Sequence, residues 1–147
     1  MTSNLSTLRA ALAAAHRRLD ELFGSCVAAL DGPVESLAQR LEAFDAAFRR
    51  HAELEETLVY DTLAPLPEFA ELLSALRLEH TQIRELCGIA RVKLDAGERD
   101  DVRLLAGNLA RRLGAHEEHE EESLAPGAED ELSAESRKAA VEALAAP

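Results

Sequence analysis

The sequence has few of the residues on which disulfide frameworks, membrane spans and nucleic-acid binding depend. Among 147 residues there is no tryptophan, one tyrosine and only two cysteines, Cys26 and Cys87, each within an apolar pattern. Two cysteines are too few for a disulfide framework, so we expect reduced core thiols in a cytoplasmic protein. No run approaches the roughly 20 consecutive apolar residues of a membrane-spanning helix. The N-terminus also lacks a basic segment followed by an apolar run, which we interpret as a mature first helix rather than a targeting signal.

Basic residues are scarce relative to acidic ones. The 16 Lys and Arg against 28 Asp and Glu give a net charge of -12. A field of this sign repels nucleic acid and anionic lipid, so we expect neither nucleic acid nor a membrane as partner. What the chain has in abundance is Ala, Leu, Glu and Arg, the residues that lose least on entering a helix. With 47% hydrophobic residues, the composition predicts one all-α domain over residues 1–147.

Glycine and proline divide the chain into long helical segments. Breakers at 31–33, 65–67, 96–97 and 126–127 are the expected ends of four helices. Within each segment the apolar residues recur at alternating steps of three and four. Long amphipathic helices with short connections pack antiparallel, which predicts an up-down-up-down antiparallel four-helix bundle over about residues 4–125. The tail is compatible with a short fifth helix within about 129–145, starting near Ser133.

Polar residues interrupt the apolar faces of these helices at one level. Each of the four helices carries one such histidine, namely His16, His51, His80 and His116. Counted from the connections, their positions differ by up to three residues, which is less than roughly 5 Å along the bundle at 1.5 Å per residue. His51 and His116 are each followed four residues later, on the same face, by a glutamate: Glu55 and Glu120.

Two glutamates on apolar faces require positive partners, because burying an unpaired carboxylate costs several kcal/mol. Arg84 is the one basic residue that could stand at that level, and four neutral imidazoles cannot balance two carboxylates. Taken singly, a histidine on an apolar face is more often a hydrogen-bonded core residue, and a His-x-x-x-Glu pair also occurs on solvated helices. Together the six residues favour a pair of divalent or trivalent cations. Imidazole and carboxylate without thiolate suit iron or manganese better than a structural zinc site.

Residues beside this set are expected to have other roles. The side chains expected on the solvated face of the fourth helix are Glu117, Glu118, Glu121, Glu122 and His119, the last with a smaller chance of replacing a ligand. Asp20, four residues after His16, is either an exposed acid or a hydrogen-bond partner of an imidazole. Tyr60 is expected to pack near the end of the second helix, with a redox or hydrogen-bonding role as the less favoured alternative.

Four stretches give the sequence a resemblance to a known family. They are HRRLDELF, HAELEETLVYDTL, LEHTQIREL and HEEHEEESLAP, and they resemble the hemerythrin-like, or HHE cation-binding, domains over nearly the whole chain. The resemblance implies a bundle that holds two iron ions as an oxo- or hydroxo-bridged di-iron centre. The family's ligands fall on the residues chosen above, His16, His51, Glu55, His80, His116 and Glu120. Glu55 and Glu120 take the bridging positions.

One position departs from the oxygen-carrying members of that family. They have a second histidine four residues after the third-helix histidine, where this sequence has Arg84. The remaining set of four histidines and two carboxylates is similar to that of iron-centre repair proteins and hemerythrin-like iron sensors, so reversible O2 carriage is not implied. The repair proteins usually carry an additional N-terminal cysteine-containing domain, which this sequence lacks.

Three functions remain open on the sequence. The leading hypothesis is a non-heme di-iron protein that binds iron and a small diatomic, O2 or NO, in sensing, iron handling or oxidative or nitrosative stress defence. A second is a di-iron enzyme that reduces O2 or decomposes H2O2. A third is a bundle that holds iron only structurally or for delivery. A ferritin-like oxidase is disfavoured because the Glu-x-x-His motif of that class is absent.

Overall fold

The computed structural model describes residues 7–146, and every regular element in that range is helical. The helices are α1 (Leu8–Ala28), α2 (Val34–Glu55, continued by a π-helical turn Glu56–Tyr60 and by Asp61–Leu63), α3 (Ala70–Asp95, preceded by a 3₁₀ turn Pro67–Phe69), α4 (Arg99–His119, continued by a π-helical turn Glu120–Leu124 and by Ala125–Glu131) and α5 (Ala134–Ala145). The long helices α1 to α4 form the predicted all-α bundle, and α5 packs against α1 and α2.

Local signals explain where these helices begin and end. The Thr7 side chain accepts a hydrogen bond from the Ala10 amide at 3.0 Å, and Ser133 accepts one from the Ser136 amide at 3.0 Å. Each side chain satisfies an amide that a helix N-terminus leaves without an internal partner. Helix α3 ends at Asp95 and is followed by Gly97, whose φ of 76° lies in the left-handed region that favours glycine. Because Ser133 caps the N-terminus of α5, the predicted start of the fifth helix near Ser133 is confirmed.

The predicted helix break at 126–127 is wrong. Pro126 stands in the first turn of Ala125–Glu131, where a missing amide hydrogen costs little. In the π-helical turn before it, the Ala125 amide donates to the Glu120 carbonyl, five residues earlier. The proline therefore follows directly after a turn in which the hydrogen-bond register has changed. At Gly127, a Cβ would lie 3.0 Å from Cε1 of Phe69, so the glycine allows that ring to pack closely on the helix. The fourth helix thus ends at Glu131, beyond the expected residue 125.

Two apolar clusters enclose a polar layer in the middle of the bundle. One cluster contains Leu12 and Leu124, and the other contains Phe44, Phe48 and Leu109. Because both are built from residues of several helices, they fix the rotation of each helix about its axis. The polar residues of the intervening layer consequently face one another. None of the helices between residues 7 and 146 combines the length and apolar character that a bilayer crossing requires.

Candidate metal centre

The structure brings all six predicted residues into one buried layer. They are His16, His51, Glu55, His80, His116 and Glu120, and none is more than 7% exposed. One histidine comes from each of α1 to α4, and the two glutamates come from α2 and α4. Their convergence is therefore a product of helix register, with no loop involved. Their role as metal ligands stays a prediction.

The six side chains form two overlapping groups of four. The members of the first are His16, His51, Glu55 and Glu120, and those of the second are Glu55, His80, His116 and Glu120. Within each group the four potential ligand atoms lie within 4.8 Å of one another. Each group offers two imidazoles and two carboxylates, and both carboxylates are shared. This is an arrangement that can hold two neighbouring cations bridged by carboxylates.

Several atoms that face this centre lack hydrogen-bond partners among the described residues. These atoms are Nε2 of His51, Oε2 of Glu55 and Nε2 of His116. His51 Nε2 lies 2.6 Å from Glu55 Oε2, yet the geometry is not that of a hydrogen bond. Buried polar atoms without partners are costly, and a cation between them would satisfy them together. The donor set therefore fits metal ions better than it fits a network of hydrogen bonds.

Three of the histidines are held from behind by further carboxylates. The pairs are His16 Nδ1 with Glu121 Oε2 at 2.7 Å, His80 Nδ1 with Glu56 Oε2 at 2.7 Å, and His116 Nδ1 with Glu79 Oε1 at 2.6 Å. A carboxylate can only accept, so Nδ1 carries the proton in each pair. In this tautomer Nε2 is unprotonated and its lone pair faces the centre. A histidine that binds a metal through Nε2 needs this tautomer.

The same local sequence builds this arrangement twice. Both α2 and α4 contain His-x-x-x-Glu-Glu, and in both a π-helical turn begins at this point. A π-helical turn has more residues per turn than an α-helix, so consecutive side chains diverge less. Glu55 and Glu56 accordingly both reach His80, at 2.9 Å from Nε2 and 2.7 Å from Nδ1. The corresponding pair on α4 reaches His16 in the same way, at 3.0 Å and 2.7 Å.

The buried carboxylates of the layer require a compensating positive charge. Burial by itself lowers the pKa of His16, but the hydrogen bond to Glu120 and the negative charge of nearby Glu55 outweigh it and raise the pKa to about 11. The pKa of His116 rises to about 10, again against the effect of burial, mainly because of Glu120. Burial would raise the pKa of Glu55, yet the neighbouring histidines hold it well below its usual range. Without a metal, protonated imidazoles supply the missing charge, and metal ions compete with protons for the same nitrogens.

Tyr60 contributes more than the packing that the sequence favoured. Its ring stacks on the His80 ring with centroids 5.4 Å apart and an interplanar angle of 7°. Its hydroxyl donates a hydrogen bond to Glu120 Oε2. Burial raises the pKa of Tyr60, and the carboxylates of Glu55 and Glu120 raise it further, so the phenol keeps its proton. The less favoured hydrogen-bonding role is therefore the one observed.

Two of the glutamates expected on the solvated face lie elsewhere. Glu117 is buried at 8% exposure, and burial together with the nearby carboxyl group of Asp20 raises its pKa to about 8. Glu121 is half-buried and accepts the hydrogen bond from His16. Asp20 is an exposed acid that lies near Glu117, and no hydrogen bond joins it to an imidazole among the described residues. Packing against α1 and the π-helical turn change which residues of α4 face inward, and a regular helical period does not anticipate either effect.

The remaining predictions for this region agree with the structure in part, since His119 is half-buried rather than fully solvated. Glu118 and Glu122 are exposed. His119 lies outside both groups of four, and its Nδ1 donates to Glu79 Oε2 at 2.8 Å. Glu79 thus accepts hydrogen bonds from two imidazoles. In the sequence, the only indication of this role is that Glu79 directly precedes His80. Glu56 likewise follows directly after a candidate ligand.

The two cysteines lie apart from the polar layer. Both are buried and free, in the apolar cluster that contains Phe44. Burial raises the pKa of Cys26 to about 11 and that of Cys87 to about 12, so both remain thiols at neutral pH. Thiolates are therefore not part of the candidate donor set.

Comparison with known families gives one result. The family model described as hemerythrin HHE cation binding domain matches residues 7–128, and a second, overlapping match covers residues 71–145. The longer match contains all six residues of the polar layer. No curated protein and no solved structure matches the chain with significance.

Proposed function

The chain belongs to the hemerythrin HHE cation-binding domain family, and from this premise we propose that it is a non-heme di-iron protein. Its two iron ions would be held by His16, His51, His80 and His116 and bridged by Glu55 and Glu120, with oxo or hydroxo as further bridge. The protein would bind a small diatomic, O2 or NO, in sensing, iron handling or stress defence. The observation that supports this most is the pair of four-residue groups that share both glutamates.

Iron is the preferred metal because of the donor chemistry. The groups contain imidazole and carboxylate only, which disfavours a thiolate-bound structural zinc. When bound, iron supplies a redox-active Lewis acid with coordination positions left for an external ligand, since each group provides four donor residues. The chain's own contribution is orientation. Glu56, Glu79 and Glu121 fix the imidazole tautomers, and the surrounding apolar side chains exclude water.

An enzymatic function is the second candidate, and one observation favours it. The buried phenol of Tyr60 holds a proton within the polar layer, hydrogen-bonded to Glu120 and 3.5 Å from His80 Nε2. A proton donor in this position suits reduction of O2 or decomposition of H2O2, because both reactions consume protons. We also propose a cytoplasmic location, for which the free thiols of Cys26 and Cys87 are the support.

Anaerobic loading with ferrous iron, followed by separate exposure to NO, O2 and H2O2, tests the proposal by optical spectroscopy. We expect new charge-transfer absorption with NO or O2, and none in Glu55→Ala. Glu53→Ala is the matched control, since Glu53 is exposed on the same helix. Catalytic loss of H2O2 or continued O2 consumption would favour the enzyme. Absence of bound iron in the wild-type protein would contradict both functions.

A further inference from the structure

A cavity beside the polar layer has no role in the proposed function. It lies between α1, α2 and α5 and has a volume of about 440 Å³. Most of its lining is apolar, including Leu19, Leu54 and Leu144. His51, Arg18 and Arg50 also line it. A concave, mainly apolar cavity with a few polar groups is the form that small-molecule sites take, and the volume is in their usual range.

The cavity coincides with a break in the internal symmetry of the bundle. Glu79 directly precedes His80 on α3, and Ala15 directly precedes His16 on α1. Glu79 accepts the hydrogen bond from His116 Nδ1, whereas the methyl group at Ala15 leaves room and lines the cavity. No carboxylate of the described residues accepts a hydrogen bond from His51 Nδ1. One imidazole of the layer is therefore open towards the cavity instead of being held by an acid.

Arg18 is the anion-binding group that the cavity offers. Its guanidinium belongs to the lining, as does the carboxylate of Glu21, in a chain whose net charge is -12. Arg18 is anchored by a hydrogen bond to the Leu144 carbonyl. Within residues 7–146 no carboxylate pairs with Arg18, so its other N–H donors can serve a ligand. A guanidinium fork binds a carboxylate with two parallel hydrogen bonds.

We propose that this cavity binds an amphipathic carboxylate, an organic acid with an apolar tail. The tail packs among the leucines between α1, α2 and α5, and the carboxylate binds Arg18. The bound molecule covers the open edge of His51. The site itself does not require metal, and only its position beside a di-iron centre rests on the function proposed above.

Isothermal titration of the metal-free protein with decanoate and with decanol tests this site. We expect saturable binding of one decanoate per chain and markedly weaker binding of decanol. Arg18→Gln should weaken decanoate binding by about tenfold or more, the effect of a charge-assisted hydrogen bond, and leave decanol binding unchanged. Arg17→Gln is the matched control, because Arg17 is exposed and does not line the cavity.

A second pair of variants locates the binding. Ala143→Phe places a ring in the cavity and should abolish binding of both probes, whereas Ala139→Phe, at an exposed position of α5 outside the cavity, should not. Loss of circular dichroism in Ala143→Phe would remove only that variant from the comparison, since Arg18→Gln still tests the anion site. The proposal is overturned by a lack of saturable binding, by equal affinity for decanol, or by decanoate affinity that Arg18→Gln leaves intact. Because the titration uses metal-free protein, a negative result leaves the di-iron function standing.

Discussion

Tyr60→Phe tests the polar layer with a minimal change. The variant keeps the ring that stacks on His80 at 5.4 Å and removes only the hydroxyl that donates to Glu120. Glu120 is 0% exposed, so water does not replace the lost donor. A hydrogen bond to a charged group contributes about 1.5–3 kcal/mol to stability. We therefore expect the free energy of unfolding of the metal-free protein to fall by that amount, or the Tm by roughly 3–12 °C for a chain of this size.

Urea denaturation followed by far-UV circular dichroism at pH 7, with a chelator present, measures the change. Far-UV detection is needed because the chain has no tryptophan and Tyr60 is its one tyrosine. Thr62→Ala is the control, since its hydroxyl also makes a hydrogen bond, at 3.2 Å to the Leu58 carbonyl, but at an exposed position. A Tyr60→Phe variant within about 0.5 kcal/mol of the wild type, the usual range for neutral surface changes, would refute the inferred bond to Glu120.

Three further predictions concern the same layer and its surroundings. The pKa values of His16 and His116 are raised to about 11 and about 10. The stability that these two groups contribute is therefore complete below pH 6.5 and is lost as the pH rises through those values. Urea midpoints of the metal-free protein should fall between pH 6.5 and pH 10, and a rise would contradict the account. Glu79→Ala should weaken metal affinity by about 10- to 100-fold in chelator competition, with exposed Glu118→Ala as control. Gly127→Ala should cost about 1–3 kcal/mol in urea denaturation, because its Cβ would lie 3.0 Å from an aromatic ring; an unchanged midpoint would show that the ring can move.

The sequence was sufficient to predict the bundle and the convergence of the six residues, since both follow from helical periodicity. His16, on α1, meets Glu120, on α4, because long helices with short connections share one register. What a regular period could not supply is the effect of the two π-helical turns. They turn Glu56 and Glu121 towards the neighbouring helices and let α4 continue past the proline.

The hydrogen-bond and packing partners of individual side chains could not be predicted from the sequence either. Tyr60 lies five positions after Glu55 but bonds to the glutamate of the other helix, a contact that only the packed bundle creates. Glu117 on α4 is buried and lies near Asp20 on α1. Both contacts depend on distances between helices, which composition and spacing along one helix do not encode.

The central claim is that two cations share Glu55 and Glu120, and the metal content of purified chains tests it most directly. After anaerobic loading with ferrous iron and removal of excess metal, we expect two iron ions per wild-type chain. His116→Ala should retain one ion, because that histidine belongs to one group only, whereas Glu55→Ala should lose both. One ion or none in the wild type, or an unchanged content in Glu55→Ala, would contradict the account.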